Sequence, residues 1–144
     1  MSYSLDSADI EAVQALVAHS TLSSIEQYEL HARREQAESP KDAAEVSIAV
    51  QQRLDETSFG IRLNADIRLG VGTISASVAG EYELADGYQP TARTLQLFAN
   101  EVGVMTVFPF LREAVSTMSI RVFGQALMLP TIERGQIALD VDEQ

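Results

Sequence analysis

The residue types that most often carry catalysis or metal binding are few and scattered in this sequence. Cysteine is absent, so a thiol nucleophile and a thiolate metal site are both excluded. His19 and His31 are interpreted as surface histidines, because neither has a second histidine at metal-ligand spacing. Ser116, Thr117 and Ser119 have no base nearby in the sequence to activate a hydroxyl. The sequence therefore predicts no catalytic residue and no metal site, and we do not expect an enzyme.

Charge and composition exclude further classes of protein. The chain has 144 residues and a formal net charge of -11, an excess of negative charge that repels nucleic acid and anionic membrane surfaces. The G-V-G run at residues 70–72 lies in a predicted hairpin and does not precede a helix, so it is not a phosphate loop and no cofactor is expected. No leader pattern opens the chain and no apolar run is long enough for a membrane span. We therefore expect a cytoplasmic protein without membrane insertion.

One helix dominates the C-terminal third. In V-F-P-F-L-R-E-A-V-S-T-M, residues 107–118, Pro109 predicts a helix that begins just upstream and ends near Gly124. Its apolar positions are three or four residues apart, typical of one helix face: Phe108, Leu111, Val115, Met118 and Val122. Phe108 and Phe110 point about 200° apart. Phe108 is therefore predicted to be core, and Phe110 to face the short helix, another subunit or a binding groove.

Alternating apolar and polar residues predict four strands. The clearest run lies at residues 61–69, and a second one follows the glycine turn and ends at Leu84. These two make an antiparallel hairpin. Weaker alternation predicts two earlier strands at residues 22–34 and 46–54, with the polar break A-E-S-P-K-D between them.

Helices flank the predicted sheet. Asp6 or Ser7 can cap an N-terminal helix, and Thr91 or Thr94 can start a short helix before the long one that follows Gly103. The N-terminal helix has apolar positions at Ile10, Val13, Leu16 and Val17. Strands followed by helices are typical of an α+β fold, here a four-stranded antiparallel sheet with a short and a long helix on one face, plus the N-terminal helix. We expect a single domain over residues 1–144, made of helix 1–20, sheet 21–86, two helices in 91–124 and an extended tail 125–144.

The chain holds more apolar side chains than this core needs, because the long helix alone can cover the sheet. Surplus apolar surface on a soluble protein marks an interface or a binding groove. Each such residue is more often core or subunit interface than groove, and both interpretations stay open. The candidates are Phe98, Val102, Val104, Met105, Phe110, Phe123, Leu127, Met128 and Leu129.

The long helix also carries a family motif. The run F-P-F-L-R-E resembles the F-P-Y-x-R-E motif of the export chaperone SecB and of the SecB-like chaperones of toxin-antitoxin systems. The matching residues are Phe108, Pro109, Phe110, Arg112 and Glu113.

Weaker similarities extend this resemblance over about residues 20–132. The run A-G-E-Y-E-L at residues 79–84 is similar to the family's A-G-x-F-x-I strand, and Thr117-Met118 is followed by Arg121 and an L-M-L-P tail, as in the family. The N-terminal helix that leads into a strand is more similar to the toxin-antitoxin branch than to the export chaperone.

The resemblance implies an ATP-independent holdase, a homotetramer built as a dimer of dimers, whose apolar grooves bind unfolded polypeptide clients. The client would be a preprotein or a cognate antitoxin, and the export motor ATPase is a further candidate partner. Ser75 stands where export chaperones have the acidic residue that docks this motor, with Thr73 in place of an apolar neighbour, which disfavours export. The alternative is a non-chaperone interaction protein that keeps the fold and binds one specific partner.

Overall fold

The structure, a computed structural model, describes residues 4–35 and 44–142. Its elements are α1 (Ser7–Ala18), β1 (Ser20–Arg34), β2 (Glu45–Leu54), β3 (Ser58–Leu69), β4 (Gly72–Leu84), α2 (Ala92–Phe98), a π-helical turn (Ala99–Gly103) and α3 (Val104–Phe123). The predicted polar break at residues 37–42 and the last two residues of the predicted tail lie outside the described residues.

The four strands form one antiparallel sheet in the order β1-β4-β3-β2. β3 and β4 pair along their whole length, from Ser58 opposite Glu83 to Leu69 opposite Gly72, as the alternation predicted. β1 lies on the far side of β4 and not beside β2, so β1 and β2 are the two edges of the sheet. The predicted α+β fold with a four-stranded antiparallel sheet is confirmed.

The apolar face of the sheet carries two clusters of buried side chains. One lies under α3, and the other lies under α1 and α2 at the end of the sheet that holds Phe59 and Tyr82. The rings of Phe59 and Tyr82 stack with centroids 4.6 Å apart, and Phe98 of α2 meets both edge-on. Each such aromatic pair adds about 0.5–1.5 kcal/mol beyond the area that it buries. Phe98 therefore belongs to the core.

The long helix follows Gly103 as predicted, but the helices after the sheet form one continuous run. The Thr91 hydroxyl caps α2 by accepting the amide of Thr94, and the π-helical turn then joins α2 to α3 without a break. A Cβ on Gly103 would lie 3.0 Å from Cγ1 of Ile61. Glycine here lets the helix approach the sheet closely and does not end a helix.

Pro109 lies inside α3, so the prediction that it marks the start of a helix is wrong. Proline there removes the hydrogen bond that an amide would donate to the carbonyl of Met105. The neighbouring side chains of Val107 and Phe108 are buried, and this packing outweighs one lost hydrogen bond. The predicted end of the helix is confirmed, because Gly124 takes the left-handed conformation, with φ of 80°, that commonly ends helices.

This helical run is more apolar than the sequence analysis predicted. Ala92–Phe123 has an 18-residue window with a mean hydropathy of 1.2, so its length and composition would allow it to cross a membrane. In the fold, 61% of that window is buried. Burial of this extent against a sheet is typical of a core helix, and we assign the run to the core.

After Gly124 the chain runs back along the helices without regular structure. Residues 125–132, the proximal tail, lie beside α3, and the amide of Leu127 donates to the hydroxyl of Ser119 at 2.7 Å. A turn at residues 133–136 follows. Residues 137–142, the distal tail, then lie along α2 and the π-helical turn.

Candidate functional site

The nine predicted groove or interface candidates differ in burial. Those in the interior of the chain are Phe98, Val104 and Leu129. Those that are half-buried are Val102, Phe123 and Leu127. Those that are exposed are Met105, Phe110 and Met128. The interior residues stabilise the core and are absent from the surface of the single chain, so a surface site has to be built from the others.

An apolar groove of about 310 Å³ lies between α1 and the π-helical turn. Its lining is Leu5, Ile10, Val13, Gln14, Val17, Glu101, Val102 and Arg134. Ile10 and Val17 are 47% and 50% exposed. Concave apolar surface with few polar groups is typical of a binding site, and we call this surface the α1 groove.

Val102 was one of the predicted groove or interface candidates, but the contribution of α1 to this surface was not predicted. The apolar positions of α1 were visible in its spacing, which was the available signal. Leu16 is fully buried in the core and Val13 is partly buried against the same cluster, while Ile10 and Val17 stay at the surface. A peripheral helix turns just part of its apolar side toward the core, and the sequence does not show which part.

An ion pair with a buried carboxylate anchors α1 to α2. Asp9 is 4% exposed, and its carboxylate accepts from Nε of Arg93 at 3.0 Å and from Nη2 at 2.8 Å. The hydrogen bond that Arg93 donates to Asp9 raises the pKa of Arg93 above its ordinary value. Asp6 and Asp9 also form a capping box at the start of α1. A two-pronged pair of this kind fixes orientation, so α1 forms a firm wall of the groove.

The tail contributes one residue to the lining of the α1 groove. Arg134 lines the groove, and the distal tail continues from there along the helical run. The amide of Leu139 donates to Oδ1 of Asn100 at 2.7 Å, and Nδ2 of Asn100 donates to the Leu139 carbonyl at 2.9 Å. The amide of Asp142 donates to Oε1 of Gln96 at 2.7 Å. Sequence analysis missed Gln96 and Asn100, whose polarity inside an apolar helix was the only signal.

The F-P-F-L-R-E motif serves the core and the tail in this structure. Phe108 is buried and Phe110 is exposed, as their opposite directions predicted. Nε of Arg112 donates to the carbonyl of Leu129 at 2.7 Å and so holds the proximal tail on α3, whereas Glu113 is exposed. The motif is therefore structural in the single chain.

Two further surfaces carry exposed apolar side chains. The solvent side of α3 presents Met105, Phe110 and Ile120, which are 37%, 41% and 52% exposed. The 15-residue edge strand β1 presents Tyr28 and Leu30, along a row of backbone groups that no strand of the described chain pairs. Long edge strands and apolar helix faces are the usual places where chains associate.

The outer face of the sheet is polar and carries charges of both signs. The hydroxyl of Ser75 donates to Oδ1 of Asp66 at 3.0 Å. The Tyr28 hydroxyl donates to Glu81 at 2.9 Å, which raises the pKa of Tyr28, and the Arg62 guanidinium lies 4.7 Å from the centre of the Tyr28 ring. In the described part of the chain, this face carries several hydrogen-bonded groups of mixed charge and does not present a patch of one charge.

Comparison with known proteins decides the family. The SecB-like chaperone SmegB of Mycolicibacterium smegmatis is 32% identical to this chain over 129 residues, which make up 90% of this chain and 86% of SmegB. The chain belongs to the SecB-like chaperone family. No family model matches it. The resemblance carried by the F-P-F-L-R-E motif is thereby confirmed.

A solved structure supports the fold of this SecB-like chaperone. The SecB-like chaperone Rv1957 of Mycobacterium tuberculosis, in complex with a ChAD peptide from the Rv1956 HigA1 antitoxin, superposes with a TM-score of 0.74 at 21% identity. The match covers 89% of this chain and 100% of that one. The likeness confirms the SecB-like architecture.

Proposed function

We propose that this SecB-like chaperone is an ATP-independent holdase that binds nonnative polypeptides, with the α1 groove as part of its client-binding surface. One observation carries the proposal: Ile10 and Val17 stay about half exposed although α1 is anchored to the fold through Asp9 and Arg93. A net charge of -11 helps to keep a chain with such an open apolar surface in solution.

The lining of the α1 groove suits clients of varied sequence. Its apolar side chains are aliphatic, and Glu101 and Arg134 bring charges of opposite sign. A groove of this kind accepts an apolar side chain of almost any shape, and each aliphatic client side chain that it buries contributes about 1.5–3 kcal/mol. Several such contacts along one chain suffice for a holdase.

An antitoxin is the client that we propose. Rv1957 is solved with an antitoxin peptide, and SmegB is likewise named a SecB-like chaperone. The outer sheet face of this chain adds an argument against export, because Ser75 is bonded to Asp66 on a face that also carries the positive charge of Arg62. We therefore do not propose the export motor ATPase as a partner.

The alternative is an interaction protein that binds one folded partner. The two functions differ in their range of ligands, because a holdase captures unrelated unfolded chains whereas a dedicated binder captures one. The aliphatic lining of the α1 groove, with few groups that could specify a single ligand, favours the holdase.

Replacing Val17 by aspartate should weaken the capture of unfolded protein about tenfold, because one charged side chain removes one aliphatic contact from the α1 groove. The measurement is the dissociation constant for a reduced, carboxymethylated and fluorescently labelled test protein. Val71→Asp is the matched control, since Val71 is 48% exposed in the β3–β4 turn, away from the groove. It should bind as the wild type does.

Equal losses of affinity in the Val17 and Val71 variants would show that the α1 groove does not bind clients.

Added ATP or a chelator should leave the wild-type affinity for the test protein unchanged. Among residues 4–35 and 44–142, no three histidine, cysteine, aspartate or glutamate side chains gather as metal ligands. A requirement for either reagent would reveal a missed site and argue against a non-catalytic protein.

We also propose that the chaperone assembles as a homotetramer, a dimer of dimers, in the cytoplasm and without nucleic acid. The edge of β1 and the solvent side of α3 are two separate surfaces with exposed apolar side chains, and two twofold interfaces are what a dimer of dimers needs. A homotetramer also brings four α1 grooves together, so that one long client can contact several of them.

Light scattering at micromolar protein should give the mass of four chains. Replacing Phe110 by serine should reduce this mass to that of two chains, because Phe110 lies on the exposed side of α3 and not on β1. A wild-type mass close to one chain would contradict the assembly. An unchanged mass for the Phe110 variant would remove α3 from the interface.

A further inference from the structure

The hydrogen bonds that hold the distal tail on the helical run go to its backbone groups. Asn100 bonds both the amide and the carbonyl of Leu139, Gln96 accepts the amide of Asp142, and Nη1 of Arg93 donates to the Asp142 carbonyl. No side chain of residues 137–142 is fully buried. The proximal tail differs, because Leu129 is part of the core.

Hydrogen bonds to backbone groups do not depend on the sequence of the segment that they hold. Asn100 presents one acceptor and one donor to a single residue, as a neighbouring β-strand would, and extended peptides of any sequence offer the same two groups. Asn100 is fully buried. If the distal tail left this position, the Asn100 amide would need another backbone or water in its place.

The surface that the distal tail covers, which we call its channel, adjoins the α1 groove at the π-helical turn. Asn100 and Val102 belong to the same π-helical turn, and Val102 lines the groove. Arg93 bonds Asp9 of α1 with one part of its guanidinium and the carbonyl of Asp142 with another. A polypeptide lying in the α1 groove would therefore meet the distal tail directly.

We propose that the channel of the distal tail is a second polypeptide subsite, and that the distal tail is its intramolecular occupant. An extended apolar client segment displaces residues 137–142 and pairs its own backbone with Asn100 and Gln96. Ile137 and Leu139, both half-buried, show the kind of side chain that the channel takes. The proposal rests on the holdase function and adds its regulation, since the tail competes with clients and lowers their apparent affinity.

Hydrogen exchange on the wild-type protein tests the displacement directly. Saturation with the carboxymethylated test protein should accelerate exchange of the Leu139 and Asp142 amides, whose present acceptors lie on the helical run, while the amides of β3 keep their protection. A bound client with the distal tail still protected would overturn the subsite but leave the α1 groove as the client site. Failure of the wild type to bind the test protein at all would overturn the holdase function and this proposal together.

Variants of the distal tail and of Asn100 give the second test. Leu139→Asp should loosen the distal tail and tighten binding of the test protein about three- to tenfold, because the competitor is weakened and the channel is intact. Thr131→Asp adds the same charge at an exposed position of the proximal tail and should bind as the wild type does. Asn100→Ala should loosen the distal tail equally but should not tighten binding of the test protein, because the client also loses its hydrogen bonds to Asn100. The proposal would be overturned if Leu139→Asp loosened the distal tail without changing the affinity for the test protein. It would also be overturned if Asn100→Ala raised this affinity as much as Leu139→Asp does.

Discussion

A chain with alanine in place of Phe108 is expected to lose about 3–5 kcal/mol of its free energy of unfolding. Phe108 is 5% exposed and packs in the buried cluster between α3 and the sheet. Truncation leaves a cavity that α3 cannot easily close, because its buried side chains Leu111 and Val115 hold the helix on the sheet. Urea unfolding, followed by circular dichroism at one fixed protomer concentration, measures the loss.

The Phe110→Ser variant is the matched control for this experiment. Phe110 is 41% exposed, two residues from Phe108 on the same helix, and its loss should leave the secondary structure native while association weakens. Unfolding of the Phe110 variant as severe as that of Phe108→Ala would contradict the assignment of one ring to the core and the other to the surface.

Alanine at Gly72 is expected to cost about 2–4 kcal/mol of stability. Gly72 has φ of 154°, and a Cβ there would lie 2.0 Å from the backbone oxygen of Arg33 and 2.8 Å from Cε1 of Phe123. The side chain of Phe123 can move, but the carbonyl of Arg33 belongs to β1, paired with β4 at this point. The substitution therefore pushes the edge strand away from the sheet. Thermal unfolding measures the loss of stability, and hydrogen exchange of the β1 amides measures the displacement of the strand.

The Gly87→Ala variant measures the cost of a positive φ without a close contact to β1. Gly87 also has a positive φ, of 75°, but a Cβ there meets no atom within 4 Å. Its replacement should cost about 1 kcal/mol and leave the exchange of β1 unchanged. Equal losses at the two glycines would show that the close approach of β1 does not account for the effect at Gly72.

The sequence by itself determined the sheet hairpin and the helix that covers it. Residues 61–69 and the run up to Leu84 alternate with period two around a glycine turn, and a slip of one residue would turn every apolar side chain to water. The stripe of Phe108, Leu111 and Val115 has a helical period over several turns. These patterns are local, so they were legible without tertiary contacts. The family motif added the class of function but not the place of the client site.

Only the tertiary structure decided where β1 pairs, how Pro109 is tolerated and which surface stays open. β1 joins β4 through partners about fifty residues away in the sequence, which no local pattern specifies. Pro109 is accepted inside a helix because buried neighbours outweigh one lost hydrogen bond. The contact of Asn100 with Leu139 spans 39 residues. Such contacts depend on the mutual positions of separate elements. Whether a side chain lies in the core, binds the tail or lines an open groove is therefore decided only when those elements pack together.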